Sequence, residues 1–451
     1  MTPVSVFRKI RTSARWIVRQ LNPVQTMVCG YATYIFCVFV ALCIPFVSFS
    51  GEASFLDHLF MAASAVSTTG LATVSTVDYN FWGQLVLFVG FQVGGLGYMT
   101  FGSVVILASR GRVSQSRITI GKAVFSMPEH FEPIAFLKRA VVFTFVVELL
   151  GAICLYLAFT REGSKVEEPL WSAIFHSVSA FCTAGFSIFP NGLEDFRGDF
   201  WVTGIISLLS ILGAVGFIVL SDLYLSITTR GYTTTLTSKI ILVATFGGIF
   251  LGTSVLYFEP SIHSLPANER VLAAFFQATS ALTTVGFNTH PIGAISASSV
   301  MVVVVLMLMG ASPSGTGGGL KCTSWSAGLA ATWSAIHGRK ETYFFGYIVP
   351  HYRIQAAFAS FTLYLFTFAI GCFLLLIVDG HRFEDVIFEV ASALGTVGLS
   401  RGITGDLSSI AKWVLITLMF IGRVGVMSLG LAALAGKEEP EQDVQKSDFV
   451  V

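Results

Sequence analysis

One eight-residue pattern occurs four times along this chain, and it limits the possible folds more than any other feature. The copies are Ser64-Ala65-Val66-Ser67-Thr68-Thr69-Gly70-Leu71, Ser179-Ala180-Phe181-Cys182-Thr183-Ala184-Gly185-Phe186, Ser280-Ala281-Leu282-Thr283-Thr284-Val285-Gly286-Phe287 and Ser392-Ala393-Leu394-Gly395-Thr396-Val397-Gly398-Leu399. They share the core S-A-x-x-T-x-G-[LF], and a Phe stands four residues before each Ser: Phe60, Phe175, Phe276 and Phe388. The copies recur roughly every hundred residues, so the chain reads as four tandem units on one plan. Four equivalent backbone loops in one polypeptide are what a single-chain, four-fold ion-selective pore needs.

Of the 451 residues, 54% are hydrophobic and only 12% charged. Long uncharged runs on that scale do not suit a soluble multidomain protein and point to an integral membrane protein. Residues 1–26 are basic, and the apolar run after them is too long for a signal-peptide core, so it reads as a retained first span. The cysteines (Cys29, Cys37, Cys43, Cys154, Cys182, Cys322, Cys372) lie in apolar stretches without paired spacing and read as small buried hydrophobes.

Each unit divides into three parts. An opening apolar helix (27–47, 139–159, 239–257, 355–378) is long enough to cross a bilayer. A shorter amphipathic stretch (55–67, 168–181, 269–282, 384–394) runs into the motif and is too short to span, which makes it a re-entrant half-helix. A second apolar helix (82–108, 199–226, 297–335, 411–435) closes the unit. The expected fold is an all-α membrane protein with four helix–pore-loop–helix units around one central pore: eight spans plus four re-entrant pore helices. The expected organisation is a basic N-terminal segment 1–26, unit one 27–108, a linker and unit two 109–226, and unit three 227–335. A linker and unit four 336–435 and a C-terminal tail 436–451 complete it. Gly94, Gly213, Gly310 and Gly422 align within the closing helices, with Gly97, Gly216 and Gly425 three residues further on, a spacing that allows close helix packing.

Lysine and arginine set the orientation. Arg8, Lys9, Arg11, Arg15 and Arg19 precede the first span; Arg110, Arg112, Arg117, Lys122, Lys138 and Arg139 join units one and two; Arg339, Lys340 and Arg353 join units three and four. The opposite loops carry acids such as Asp78, Glu162, Glu167, Glu168, Glu194, Asp195, Asp199 and Asp379. The positive-inside rule then puts both termini in the cytoplasm, with an acidic outer rim that concentrates cations.

Non-helical backbone at membrane depth is tolerated where it is buried in protein or lines a wet cavity. Here that backbone is the T-x-G-[LF] segment, and glycine lets its carbonyl turn toward a central axis. The filter residues are therefore Thr68, Thr69, Gly70 and Leu71; Thr183, Ala184, Gly185 and Phe186; Thr284, Val285, Gly286 and Phe287; and Thr396, Val397, Gly398 and Leu399. Four helix C-caps ending in Gly are the plainer alternative. No filter segment supplies a carboxylate ring, which favours a weakly hydrated monovalent cation over calcium or magnesium. Glu389, at the position held by Met61, His176 and Gln277 in the other units, either tunes cation occupancy or is a hydrogen-bonded structural acid.

Two further features lie beyond the filters. Gly310-Ala311-Ser312-Pro313-Ser314-Gly315-Thr316-Gly317-Gly318-Gly319-Leu320-Lys321 cannot hold a continuous helix, and a loop there obstructs a permeation path; a passive kink is the competing reading. Arg423 is a lone guanidinium in a closing helix, where insertion costs roughly 2.5–3.5 kcal/mol, so it faces a wet cavity or a partner. The expected partners are loop carbonyls and the hydroxyls of Ser312, Ser314 and Thr316. Gly315–Lys321 lacks the spacing and strand–loop–helix context of a phosphate loop, so nucleotide control has to come from another subunit.

These motifs resemble the Trk/Ktr/HKT superfamily of cation-translocating proteins, most closely its KtrB type, across residues 27–435. Gly310–Lys321 looks like that family's intramembrane gating loop, and Phe420-Ile421-Gly422-Arg423-Val424-Gly425 matches its pore-facing arginine motif. The short N-terminal segment favours the Ktr over the TrkH branch, whose members carry an extra helical pair. The resemblance implies a potassium uptake subunit, not an enzyme, in a bacterial inner membrane. Intact glycines in all four filters imply potassium preference, with no bound cofactor, K+ as the transported ion and Na+ as a candidate activator. It also implies a homodimer with one pore per protomer, resting on a cytosolic KtrA-type ring that binds ATP or ADP. The basic 109–139 and 335–354 segments are the expected docking surfaces, with inner-leaflet lipid as the competing explanation of their charge and no nucleic-acid partner. A sodium-coupled symporter or sodium transporter of the same superfamily is the alternative function.

Overall fold

The computed structural model describes residues 23–47, 53–109, 133–162 and 166–434. The expected basic segment up to residue 22, the linker residues 110–132 and the tail 436–451 lie outside the described residues.

Among the described residues, four helices are long and apolar enough to cross a membrane by length and composition: α1 (Pro23–Leu42), α4 (Pro133–Phe159), α8 (Leu236–Leu256) and α13 (His351–Asp379). Each turns apolar side chains outward, among them Phe36, Leu149, Phe250 and Phe373, all more than half exposed. An aliphatic and aromatic outer wall of this extent suits a hydrocarbon environment.

Each long helix is followed by a short one that the rest of the protein surrounds: α2 (Phe55–Val66), α5 (Pro169–Phe181), α10 (Ala267–Thr283) and α14 (Phe383–Gly395). The chain marks their starts locally. Ser54 and Asp57 form a reciprocal capping box at α2, Pro169 opens α5, and Glu384 and Asp385 occupy the first turn of α14. The α9 turn (Pro260–His263) precedes α10. The recurrent Phe60, Phe175, Phe276 and Phe388 are at most 2% exposed, so the phenylalanine that marks each repeat is a core anchor.

The closing elements are α3 (Phe81–Ser109), α6 (Phe200–Val215) with α7 (Phe217–Thr228), α11 (Ala297–Met309) with α12 (Cys322–Ile336), and α15 (Ser409–Val424) with α16 (Val426–Leu434). Helix α3 packs on α5, α6 on α10, α11 on α14, and α15 returns to α2. Each unit thus leans on the short helix of the next, and the fourth closes onto the first. A two-stranded hairpin, β1 (Tyr343–Phe344) with β2 (Tyr347–Ile348), follows α12.

Continuous closing helices over 199–226 and 411–435 were expected, and both are broken. The α6–α7 pair bends by 94° at Gly216, and α15 gives way to α16 at Gly425. Both glycines have positive φ, 82° and 88°, which no helical residue adopts. At Gly216 the bend is closely packed: a Cβ there would overlap the Ser314 carbonyl of unit three, so only glycine fits. The cysteines also differ from expectation, since Cys29, Cys37 and Cys154 face outward.

Candidate functional site

The four motifs fold the same way. The invariant threonine follows each short helix in the left-handed region: Thr68, Thr183, Thr284 and Thr396 have φ of 52°, 51°, 58° and 49°. A β-branched residue there costs on the order of 1–3 kcal/mol and persists only when its surroundings impose it. Those surroundings are visible in the backbone. The amide of the next residue (Thr69, Ala184, Val285, Val397) donates back to the carbonyl of the motif serine at 2.8–3.1 Å in every unit. The glycine that follows again has positive φ: 92°, 68°, 83° and 97°.

The motif serines hold the loop in two ways. In units one and four the hydroxyls of Ser64 and Ser392 accept from the Gly70 and Gly398 amides at 3.1 and 3.0 Å. In units two and three Ser179 and Ser280 donate to the carbonyls of Phe186 and Phe287 at 2.9 and 2.6 Å. The serine was conspicuous in the sequence; its use as a fastener for the loop was not.

The glycines form a closed circuit. A Cβ on Gly70 would press on Ala184 and Gly185, one on Gly185 on Val285 and Gly286, and one on Gly286 on Val397 and Gly398. One on Gly398 would press on Thr69 and Gly70. Each glycine therefore abuts the motif loop of the next unit, in chain order, and the fourth meets the first.

Beneath this ring the closing helices come close enough to exclude side chains. A Cβ at Gly94, Gly213 or Gly422 would overlap the carbonyl of Val66, Phe181 or Leu394, the residue two past the motif serine in each case. Gly310, which the sequence aligned with these, does something else: it has φ 64° and starts the segment that ends at Lys321. That segment crosses below three of the four loops. The Thr316 amide donates to Gly213 O at 2.9 Å and its hydroxyl to Phe181 O at 2.9 Å. Thr183 Oγ1 donates to Thr316 Oγ1 at 3.3 Å, and the Gly318 amide donates to Thr284 Oγ1 at 3.2 Å. A Cβ on Gly318 would overlap Thr396 Oγ1. Lys321 closes the segment by donating to Gly317 O at 2.7 Å.

Arg423, 1% exposed, is the centre of this layer. Its Nε donates to the Tyr31 hydroxyl at 3.1 Å, Nη2 to Gly94 O at 2.7 Å, and Nη1 to Thr316 O. Tyr31 in turn donates to Gly94 O at 2.9 Å. The bonds tie the first, third and fourth units together at one guanidinium. Of the expected partners, the Thr316 carbonyl is present; Ser312 and Ser314 place their hydroxyls 3.0 Å apart, against each other. Tyr31 escaped the sequence reading because a tyrosine in an apolar helix carries no signal of its own. A second omission had a signal: Glu148, an acid inside an apolar run. It accepts from Gln92 at 2.9 Å and from the Cys182 thiol at 3.6 Å, a buried cluster beside the second motif.

The fold and site define a helical membrane protein in which four backbone loops from one chain meet around a ring, with an arginine-tied segment directly beneath. Residues 40–441 match the family described as TrkH, cation transport protein. The chain belongs to that family, whose members are transporters and not enzymes. It is 31% identical over 420 residues to the Ktr system potassium uptake protein B of Bacillus subtilis, covering 92% of this chain and 93% of that protein. It is 32% identical over 408 residues to the protein of the same name from Vibrio alginolyticus, covering 89% and 88%. The potassium transporter TrkH from Vibrio parahaemolyticus has the same fold, with a TM-score of 0.71 at 20% identity, over 90% of this chain and 83% of that one.

Proposed function

We propose that this chain is the membrane subunit of a potassium uptake system of the Ktr type, conducting K+ down the axis of its four loops. The observation that carries this reading is the closed circuit of Gly70, Gly185, Gly286 and Gly398. Backbone carbonyls around such a circuit replace the hydration shell of a monovalent cation, and the short helices turn the negative ends of their dipoles toward it. In this reading the four long helices and four closing elements are eight spans, the short helices are re-entrant, and both termini are cytoplasmic. Residues Gly310–Lys321 and Arg423 are the gate: the loop blocks the route below the filter and the guanidinium repels cations there. A cytosolic ring that binds ATP or ADP moves this gate, and two protomers pair with one pore each. The two relatives named as potassium uptake protein B support the ion and the system.

One comparison favours a second reading. The chain is 30% identical over 437 residues to the potassium/sodium uptake protein NtpJ of Enterococcus hirae, covering 94% of this chain and 95% of that protein. Sodium then enters as a coupled or transported ion. Flux of K+ and Na+ into liposomes holding the purified protein separates the two. K+ uptake that proceeds without Na+ and follows the K+ gradient supports the channel-like reading, and obligatory co-movement of Na+ overturns it.

A further inference from the structure

The four short helices differ at one buried position. Three residues before the motif serine stand Met61, His176, Gln277 and Glu389, each at most 2% exposed. In α5 the His176 Nδ1 lies 2.8 Å from Ser172 O, which can only accept, so Nδ1 carries the proton. The Nε2 of the neutral ring then accepts from the Ser187 hydroxyl at 2.9 Å. Phe189 stacks on the imidazole with centroids 4.4 Å apart and planes at 17°, which holds the ring's orientation. In α14 the Glu389 Oε1 accepts from the Ser400 hydroxyl at 3.1 Å and from Thr404.

Ser187 and Ser400 hold the same place in their units, immediately after Phe186 and Leu399, the last residues of the motif. The other two units lack this bond. Unit one pairs Met61 with Ala72 at these positions, neither of which can hydrogen-bond through its side chain in this way. In unit three Gln277 Nε2 reaches past to His290 O at 3.2 Å, while Asn288, at the Ser187 position, donates to Glu194 at 2.7 Å. Around the glycine circuit Gly185 abuts Gly70 and Gly286, so the second and fourth units stand opposite each other.

We propose that His176 and Glu389 are specificity-determining positioning residues: through Ser187 and Ser400 they tie the outer ends of two opposite filter strands to the helices behind them. A ring of carbonyls favours the larger of two monovalent cations only while it resists closing on the smaller. Two anchors on one diagonal supply that resistance, and the first unit, with Met61 and Ala72 at these positions, lacks this anchor. The inference rests on the four loops being the filter.

The test uses the full-length protein in liposomes, with K+ uptake measured in competition with Na+. Glu389→Met and His176→Met install the residue that α2 already accommodates. Each is expected to reduce K+ over Na+ discrimination by about tenfold, the size of one buried hydrogen bond, with maximal K+ flux falling less. Glu389→Gln, which keeps an acceptor oxygen in place, is expected to retain most of the discrimination. Ser400→Ala should reproduce Glu389→Met, and the two together should do no more than either alone. Ser187→Ala and Ser400→Ala each remove a single oxygen, so they decide the matter where a Met variant does not fold. Unchanged discrimination in the serine variants, or additive effects of Ser400→Ala and Glu389→Met, overturns the anchoring role. A wild-type protein with no preference between the ions overturns the filter reading itself, and the anchoring role with it.

Discussion

Arg423 and Tyr31 lie 392 positions apart in the chain, and the guanidinium Nε donates to the phenol oxygen at 3.1 Å. The same hydroxyl donates to Gly94 O, which also accepts from Arg423 Nη2. First helix, first closing helix and last closing helix are therefore joined at one point, and the Thr316 carbonyl brings in the Gly310–Lys321 segment.

Removing that hydroxyl with Tyr31→Phe is expected to lower thermal stability by about 1–3 kcal/mol, because the buried guanidinium loses an acceptor and the Gly94 carbonyl a donor. It should also loosen the loop. K+ flux in liposomes without any cytosolic partner is expected to rise, and Arg423→Gln or deletion of 310–319 to raise it further. Flux that stays at the wild-type level in all three would reduce the Gly310–Lys321 segment to a structural kink.

Gly→Ser at position 70, 185, 286 or 398 is expected to weaken K+ preference over Na+, since each new side chain would press on the motif loop of the neighbouring unit. Gly247→Ala and Gly328→Ala are the controls. Both glycines lie in helices with nothing within 4 Å of an added Cβ, so ion preference should not change and stability should rise by roughly 0.5–1 kcal/mol. Competitive uptake measurements on all six variants check the ion preferences, and thermal melts of the two alanine variants check the stability.

Glu259 sits in the connection between α8 and α9, 2% exposed, and fastens that connection to the start of α11. It accepts from the Ser296 amide at 3.1 Å, the Ser296 hydroxyl at 2.7 Å and the Ser299 hydroxyl. Burial works against its ionised form, but the bonds from Ser296 and Ser299 outweigh it and hold the pKa below the usual carboxylate value. A depressed carboxylate stabilises the fold above its unfolded pKa, near 4.3, and that contribution disappears as pH falls through the lower folded value. Melting in detergent should therefore lose stability on acidification from about pH 5 downward. Glu259→Gln should be less stable at neutral pH and show a shallower acid slope. Parallel slopes in the two proteins would remove Glu259 from the acid response.

The repeat plan was legible in the sequence because its determinants are local. A run of apolar residues of bilayer length, a short amphipathic stretch with Phe four before Ser, and a glycine at a fixed offset can be recognised without knowing what they touch. So could the helix-breaking character of Gly310–Lys321, which follows from the backbone preferences of Gly and Pro alone. The extra turn taken by Thr68, Thr183, Thr284 and Thr396 was not legible, because left-handed threonine is imposed by its surroundings against its own preference.

Tertiary structure decided the rest, and in each case the reason is a partner distant in sequence. Gly94, Gly213, Gly310 and Gly422 aligned as one series, yet only three meet a carbonyl at the end of a short helix; the fourth opens a loop. Gly216 breaks its helix where the Ser314 backbone packs against it, while Gly97, in the corresponding place of unit one, stays inside the continuous α3. Tyr31 acquires a role because the fourth closing helix returns to the first unit and brings Arg423 to it. His176 and Glu389 look unrelated as residue types, and only the fold reveals that both reach the serine just after the repeated motif. Local propensity and hydrophobic period specify which segments are helices and loops, since those energies depend on neighbours in sequence. Which polar atoms meet across the ring depends on close packing between units, and no single unit contains that information.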